Sequence, residues 1–235
     1  MAPPSLVQRL VAETLGTGFL VATVVGSGIA ASRLSPNDVG LQLLESAVAT
    51  GAALVALILT FHPVSAAFNP LVTAVDAAHR RLTWGHACLV TAGQVVGGCV
   101  GAVVANLMFG SAAVSWSTHH RTGGGLWLGE VVATLGLLLV IFAAPRPTDR
   151  EHTVAYAVGA YNAAAYWFTS STSFANPAVT IARMLSDSFA GIAPVSVPMF
   201  VLMQLAGTVL AVAVIRALRP RSIAPDDHPV REPAR

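Results

Sequence analysis

Long apolar runs separated by short polar stretches dominate the chain, at about 10–32, 42–61, 85–107, 126–144, 153–170 and 197–218. Each is close to the roughly 20 helical residues needed to cross a hydrocarbon core of about 30 Å. The runs are continuously apolar rather than alternating, which predicts helices and excludes barrel strands. Two shorter apolar stretches lie between the second and third runs and between the fifth and sixth. Each contains an Asn-Pro pair, in "AFNPLVTAV" at 67–75 and "SFANPAVTIAR" at 173–183. Asparagine followed by proline marks a helix start, because the Asn side chain caps free backbone N–H groups and proline fits the first helical position. Ten helical residues from 69 or from 176 would extend about 15 Å, half the core. These are half-helices, and the irregular backbone leading into them persists at membrane depth only where protein buries it or a wet cavity runs past it.

The two Asn-Pro phrases belong to a larger repeat. "AETLGT" at 12–17 and "GEVVATLG" at 129–136 place Glu13 and Glu130 inside the first and fourth runs, and Gln-x-x-Gly recurs at Gln94/Gly97 and Gln204/Gly207. Each half therefore has three spans with a half-helix between its second and third, about 8–120 and 121–219. An odd number of spans per half inserts the halves in opposite directions. The expected fold is an all-α membrane protein, one domain over 1–219, with six transmembrane helices plus two re-entrant half-helices in an inverted repeat. Two half-helices from opposite faces would meet N-terminus to N-terminus near the midplane, each end bearing roughly half a positive charge that opposes cations and protons. The Asn amides would then face passing neutral oxygens as donors. Glu13 and Glu130 are expected to face the bundle interior as structural carboxylates, holding backbone carbonyls of the adjoining Asn-Pro loops.

Composition agrees with a membrane protein: 54% of the 235 residues are hydrophobic and 10% charged, against about 25% charged in an average soluble domain. All thirteen basic residues are arginines. When the spans are threaded, only Arg33, Arg121 and Arg183 fall on the side opposite the termini, which places both termini in the cytoplasm. The net charge of +2 thus reflects topology, and nucleic-acid binding is not expected. No signal peptide is expected, because the first run is too long for an h-region and lacks a convincing cleavage site. Cys88 and Cys99 are eleven residues apart in the third span, three turns along one helix, which rules out a mutual disulfide or shared metal. No cofactor or metal site is expected. The segment 220–235, rich in Pro, Asp and Arg, reads as a disordered cytoplasmic tail.

Paired Asn-Pro-Ala boxes in inverted halves resemble the major intrinsic proteins, the aquaporins and aquaglyceroporins, over nearly the whole chain. The resemblance implies a pore inside each protomer and a homotetramer in the membrane lipid. The first box reads Asn69-Pro70-Leu71, a departure expected to tighten or reshape one side of the midplane. The second, Asn176-Pro177-Ala178, is standard. Family members usually follow the second box with arginine, where this chain has Val179, so charge selection at the outer filter should be weaker. Spacing from the boxes carries the remaining filter positions to Ser173, to Ala164 in the fifth span, and to Thr50 in the second, with Ala49 as an alternative. Thr50, Ala164, Ser173 and Val179 would form a wide, uncharged ring. The pattern looks like a bacterial subgroup encoded beside arsenic-resistance genes. It implies a multi-pass protein of the bacterial inner membrane that passes small neutral solutes passively, among them metalloid acids such as arsenite or methylated arsenicals, with water or glycerol.

Arg183 stands one turn beyond Val179 on the same face and either lends charge to the outer vestibule or pairs with Asp187 one turn further on; the pairing is favoured. His62 is expected at the interface with a backbone partner, with a pH gate as the alternative. His119 and His120 are expected in a solvated loop, and the glycines at 123–125 as a flexible link. A plain water or glycerol channel is the first rival. A secondary transporter is the second, disfavoured because the midplane offers only two asparagines. No span carries the paired groups of an intramembrane enzyme.

Overall fold

The computed structural model describes residues 3–143 and 150–218. The expected tail at 220–235 lies outside them. Among the described residues eight α-helices follow in order: α1 (Leu6–Leu34), α2 (Val39–Phe61), α3 (Pro70–Ala78), α4 (Trp84–Met108), α5 (Gly124–Ala143), α6 (Arg150–Phe168), α7 (Pro177–Ala182) and α8 (Val197–Leu218), with a 3-10 turn at Arg183–Leu185 prolonging α7. The starts obey local capping chemistry. Ser5 and Gln8 form a reciprocal box at α1, Asp38 and Thr83 cap α2 and α4, and Asn69 and Asn176 cap α3 and α7 with proline next in line.

Packing repeats between halves. α1 lies along α4 and α2, as α5 lies along α8 and α6, and α2 also packs on α6. α7 packs chiefly on α4 of the opposite half, while α3 packs chiefly on α4 of its own half and also touches α8. The α1–α4 crossing is close enough for backbone contact, because a Cβ on Gly97 would run into the Thr14 carbonyl and one on Gly101 into that of Gly18. Small residues permit such approach where lipid supplies no hydrophobic drive between helices.

Among the described residues, five helices are long and apolar enough to cross a membrane, ending with the stretch Pro194–Leu218. The fifth expected span, α6, is the exception. It begins Arg150-Glu151-His152, and these polar residues lower its hydropathy, yet its Ala155, Val158, Ala165 and Tyr166 are buried. Large apolar side chains such as Phe19, Val96, Leu128, Trp167 and Val209 face outward, inverting the usual soluble pattern.

Candidate functional site: a passage between two half-helices

The two Asn-Pro segments meet head to head. Asn69 Nδ2 donates to the Ala175 carbonyl at 2.8 Å, and Asn176 Nδ2 donates to the Phe68 carbonyl at 2.7 Å. Each side-chain oxygen caps its own helix, Asn69 Oδ1 accepting from Leu71 N and Asn176 Oδ1 from Ala178 N, both at 3.0 Å, with Val179 N at 3.3 Å. An amide has two N–H donors, so the cross-link uses one on each asparagine and leaves one to the lumen.

Glu13 and Glu130 hold the loops that enter these caps, but through amides rather than the expected carbonyls. Glu13 accepts from Ala67 N at 2.8 Å, Phe68 N at 2.7 Å, Ser65 Oγ at 2.5 Å and Gln94 Nε2 at 2.8 Å. Glu130 accepts from Phe174 N and Ala175 N at 3.0 Å and from Gln204 Nε2 at 2.6 Å. A carboxylate offers only acceptors, so it binds N–H groups. Turning those amides inward forces the chain into left-handed backbone: φ is +46° at both Phe68 and Ala175. Such non-glycine geometry costs about 1–3 kcal/mol unless its surroundings hold it.

Two threonines complete the network. Gln94 Nε2 also donates to Thr73 Oγ1 at 3.0 Å and Gln204 Nε2 to Thr180 Oγ1 at 2.8 Å, while each hydroxyl donates to its own cap carbonyl, Asn69 O at 3.1 Å and Asn176 O at 2.7 Å. The signal for them was present in the sequence, since both boxes read Asn-Pro-x-Val-Thr.

A cavity runs beside the caps, lined by Asn69, Val72, Asn176, Val179, Thr50 and Ser173 among others. It shares Ile58, Val72 and Val154 with a wider vestibule that contains Arg9, His62, Asp76 and Arg81. At its other end it shares Val24, Tyr166 and Arg183 with a pocket containing Arg121. The three cavities adjoin one another along the bundle through these shared lining residues.

Several expected residues sit elsewhere. Leu71 is buried and absent from the lining, as is Ala178; the third residue after each Asn, Val72 or Val179, is the one that lines the lumen, so Leu71 packs behind the wall rather than in it. Ala164 is exposed on the outer side of α6, and the lumen instead receives Val158, Asn162 and Tyr166. Tyr166 is 5% exposed and shares a 3.2 Å hydrogen bond between its OH and Thr50 Oγ1. The expected wide ring therefore has a phenol on one side.

The Arg183–Asp187 pair does not form. Helical geometry ends at Leu185, and extended backbone at Ser186 (φ −132°) turns the chain away. Asp187 instead accepts from Thr118 N at 2.9 Å and Oγ1 at 3.0 Å, with His119 Nε2 3.9 Å off. Arg183 donates from Nε to the Ala190 carbonyl and lies over the Phe174 ring. His119 and His120 are exposed as expected, but the loop around them is partly built in: Ser117 is buried, and backbone bonds tie Ser115 to Leu185, Ser117 to Met184 and His119 to Ala193. Gly124 and Gly125 form the first turn of α5 rather than a flexible link. Arg121, in this loop, has its pKa lowered by burial, opposed by Glu130 and Tyr166. His62 caps α2 beside His152, ring centroids 6.1 Å apart. Among the described residues no cluster of three His, Cys, Asp or Glu is placed to hold a metal.

A match to the family model described as Major intrinsic protein covers residues 1–170. The Aquaglyceroporin AqpS of Rhizobium meliloti (strain 1021) is 46% identical over 214 residues, 91% of each chain. An aquaglyceroporin from Plasmodium falciparum superposes with a TM-score of 0.68 at 19% identity, over 90% of this chain and 95% of that one, which shows the fold. With adjoining cavities beside two cross-linked half-helix caps and these likenesses, the chain belongs to the major intrinsic protein family: it is a multi-pass membrane channel for small solutes of the aquaglyceroporin kind, in a family of channels rather than enzymes.

Proposed function

We propose that this channel passes uncharged hydroxylated solutes larger than water, with metalloid acids such as arsenite or methylated arsenicals as its cargo. The observation that carries the reading is Val179, buried and lining the passage where an arginine usually narrows the outer filter of the family. Thr50, Ser173 and Val179 remain the proposed filter on their side of the lumen, with Tyr166 taking the place of Ala164. Hydroxyls of Thr50, Tyr166 and Ser173, with the free N–H of Asn69 and Asn176, supply donors and acceptors for a solute bearing several OH groups. Proteoliposomes carrying the protein should release arsenite and glycerol faster than empty vesicles. Arsenite release no faster than the control, alongside rapid glycerol release, removes the metalloid cargo and leaves a polyol channel.

An ordinary water and glycerol channel is the second reading, and Tyr166 favours it, because its ring closes part of the space that Ala164 was expected to leave open. The arginine bias supports cytoplasmic termini in a bacterial inner membrane. The outward apolar faces at Phe19, Val96 and Trp167 support contact with lipid and with neighbouring protomers in a homotetramer.

A further inference from the structure

Val179 leaves the first turn of the lumen-facing side of α7 without charge. One turn farther from the midplane, about 6 Å along the axis, that side carries Arg183. Arg183 is 3% exposed, and its Cζ lies 3.5 Å from the centroid of Phe174. Its Nε donates to the Ala190 carbonyl; among the described residues that is its one hydrogen bond, so both Nη groups are left to the passage it lines. Arg121 approaches the same ring, with Cζ 5.1 Å from the centroid. It donates to Gly191 O at 2.9 Å and Phe189 O at 3.3 Å.

Every acceptor of this pair is a neutral carbonyl. Among the described residues neither arginine forms a salt bridge. Glu130, whose field reaches both, is committed to Phe174 N, Ala175 N and Gln204. Two cations sharing one aromatic ring without a paired carboxylate make a strongly positive spot. It stands where the path is shared, since Arg183, Tyr166 and Val24 line both the central cavity and the outer pocket. A low-dielectric wall around such a spot strengthens its field on anything passing.

We propose that Arg183 is the charge-selecting residue of this channel, displaced one turn outward from position 179, with Arg121 reinforcing it across Phe174. The proposal rests on the channel reading above and reverses one expectation from Val179: loss of arginine there does not leave the outer end uncharged. The geometry also separates two tasks that one side chain would otherwise perform. Val179 lines the outer filter without charge, and Arg183 excludes cations where the central cavity meets the outer pocket while its free N–H groups greet neutral oxygens.

The test uses the full chain in proteoliposomes, with glycerol flux and potassium and proton leak measured on the same vesicles. Wild type should be tight to both cations, and Arg183→Gln should raise the ratio of cation leak to glycerol flux by about tenfold or more, as removal of a unit charge from a confined site implies. Adding Val179→Arg to that variant should restore tightness. An Arg183→Gln channel that still passes glycerol but shows no rise in cation leak overturns the proposal. If that variant does not fold, wild type decides: cation leak well above empty vesicles overturns the proposal, and tight vesicles together with a tight Arg183→Lys channel support it. Failure of wild type to pass glycerol or arsenite at all would strike the channel reading instead.

Discussion

At the scale of single residues, the carboxylates and Tyr166 carry the clearest consequences. Glu13 and Glu130 each hold consecutive backbone amides in left-handed or near-cap geometry, where nothing else among the described residues satisfies those donors. Replacement by glutamine puts an NH2 where an acceptor is needed. A hydrogen bond to a charged group contributes about 1.5–3 kcal/mol, so Glu130→Gln should lower stability by about that amount. Thermal denaturation in detergent, read as loss of the monodisperse peak, should show a lower midpoint for Glu130→Gln and Glu13→Gln. Tyr166 and Ala164 offer a sharper contrast, because the sequence reading chose the second and the structure brings the first to the lumen. Tyr166→Ala should raise glycerol flux several-fold by opening the outer junction. Ala164→Leu, on the outward side, should alter flux by less than about twofold, as surface substitutions usually do. Solute-induced reswelling of vesicles measures both.

At the scale of elements, what was readable depended on whether a regular period connected the residues. Glu13 and Glu130 stood out because polar groups in apolar helices need partners, and Gln94 and Gln204 because Gln-x-x-Gly recurs in each half; all four are fully buried. Asn69 and Asn176 were legible from the capping chemistry of Asn-Pro alone. Ala164 was misplaced because the spacing was counted back from Asn176 through 169–175, where Thr172, Ser173 and Ala175 have positive φ and helical phase is lost. Asp187 was misplaced for the same reason at the other end, where α7 gives way to a 3-10 turn. Close helix contacts were also invisible, since Gly-x-x-x-Gly at 97 and 101 was not singled out. Gly101→Val should force α1 and α4 apart, because the new side chain would meet the Gly18 backbone; overpacking of this kind costs about 1–3 kcal/mol or more. Folded yield after extraction should fall sharply for Gly101→Val. It should hold for Gly85→Ala, since the space around Gly85 is open.

At the scale of the whole molecule, the inverted repeat raises the choice between a channel and an alternating-access transporter, since both architectures use broken helices that meet at the midplane. Alternating access requires one repeat to rock against the other around the central site. Here the centre itself is bonded across the repeats, Asn69 to Ala175 O at 2.8 Å and Asn176 to Phe68 O at 2.7 Å. α7 is also seated chiefly on α4 of the opposite half, and α3, seated chiefly on α4 of its own half, reaches α8 as well. Rocking would break the two buried hydrogen bonds that join the repeats at the caps, and each contributes about 0.5–1.5 kcal/mol. The halves therefore act as one body, and solute must move through a fixed path. Glycerol flux should rise in proportion to its gradient without saturating, and should be indifferent to an imposed pH difference. Labelled glycerol inside vesicles should leave no faster when unlabelled glycerol is present outside, because no carrier state returns loaded. Acceleration of that exchange by outside solute would instead mean that the two cross-repeat bonds open during transport.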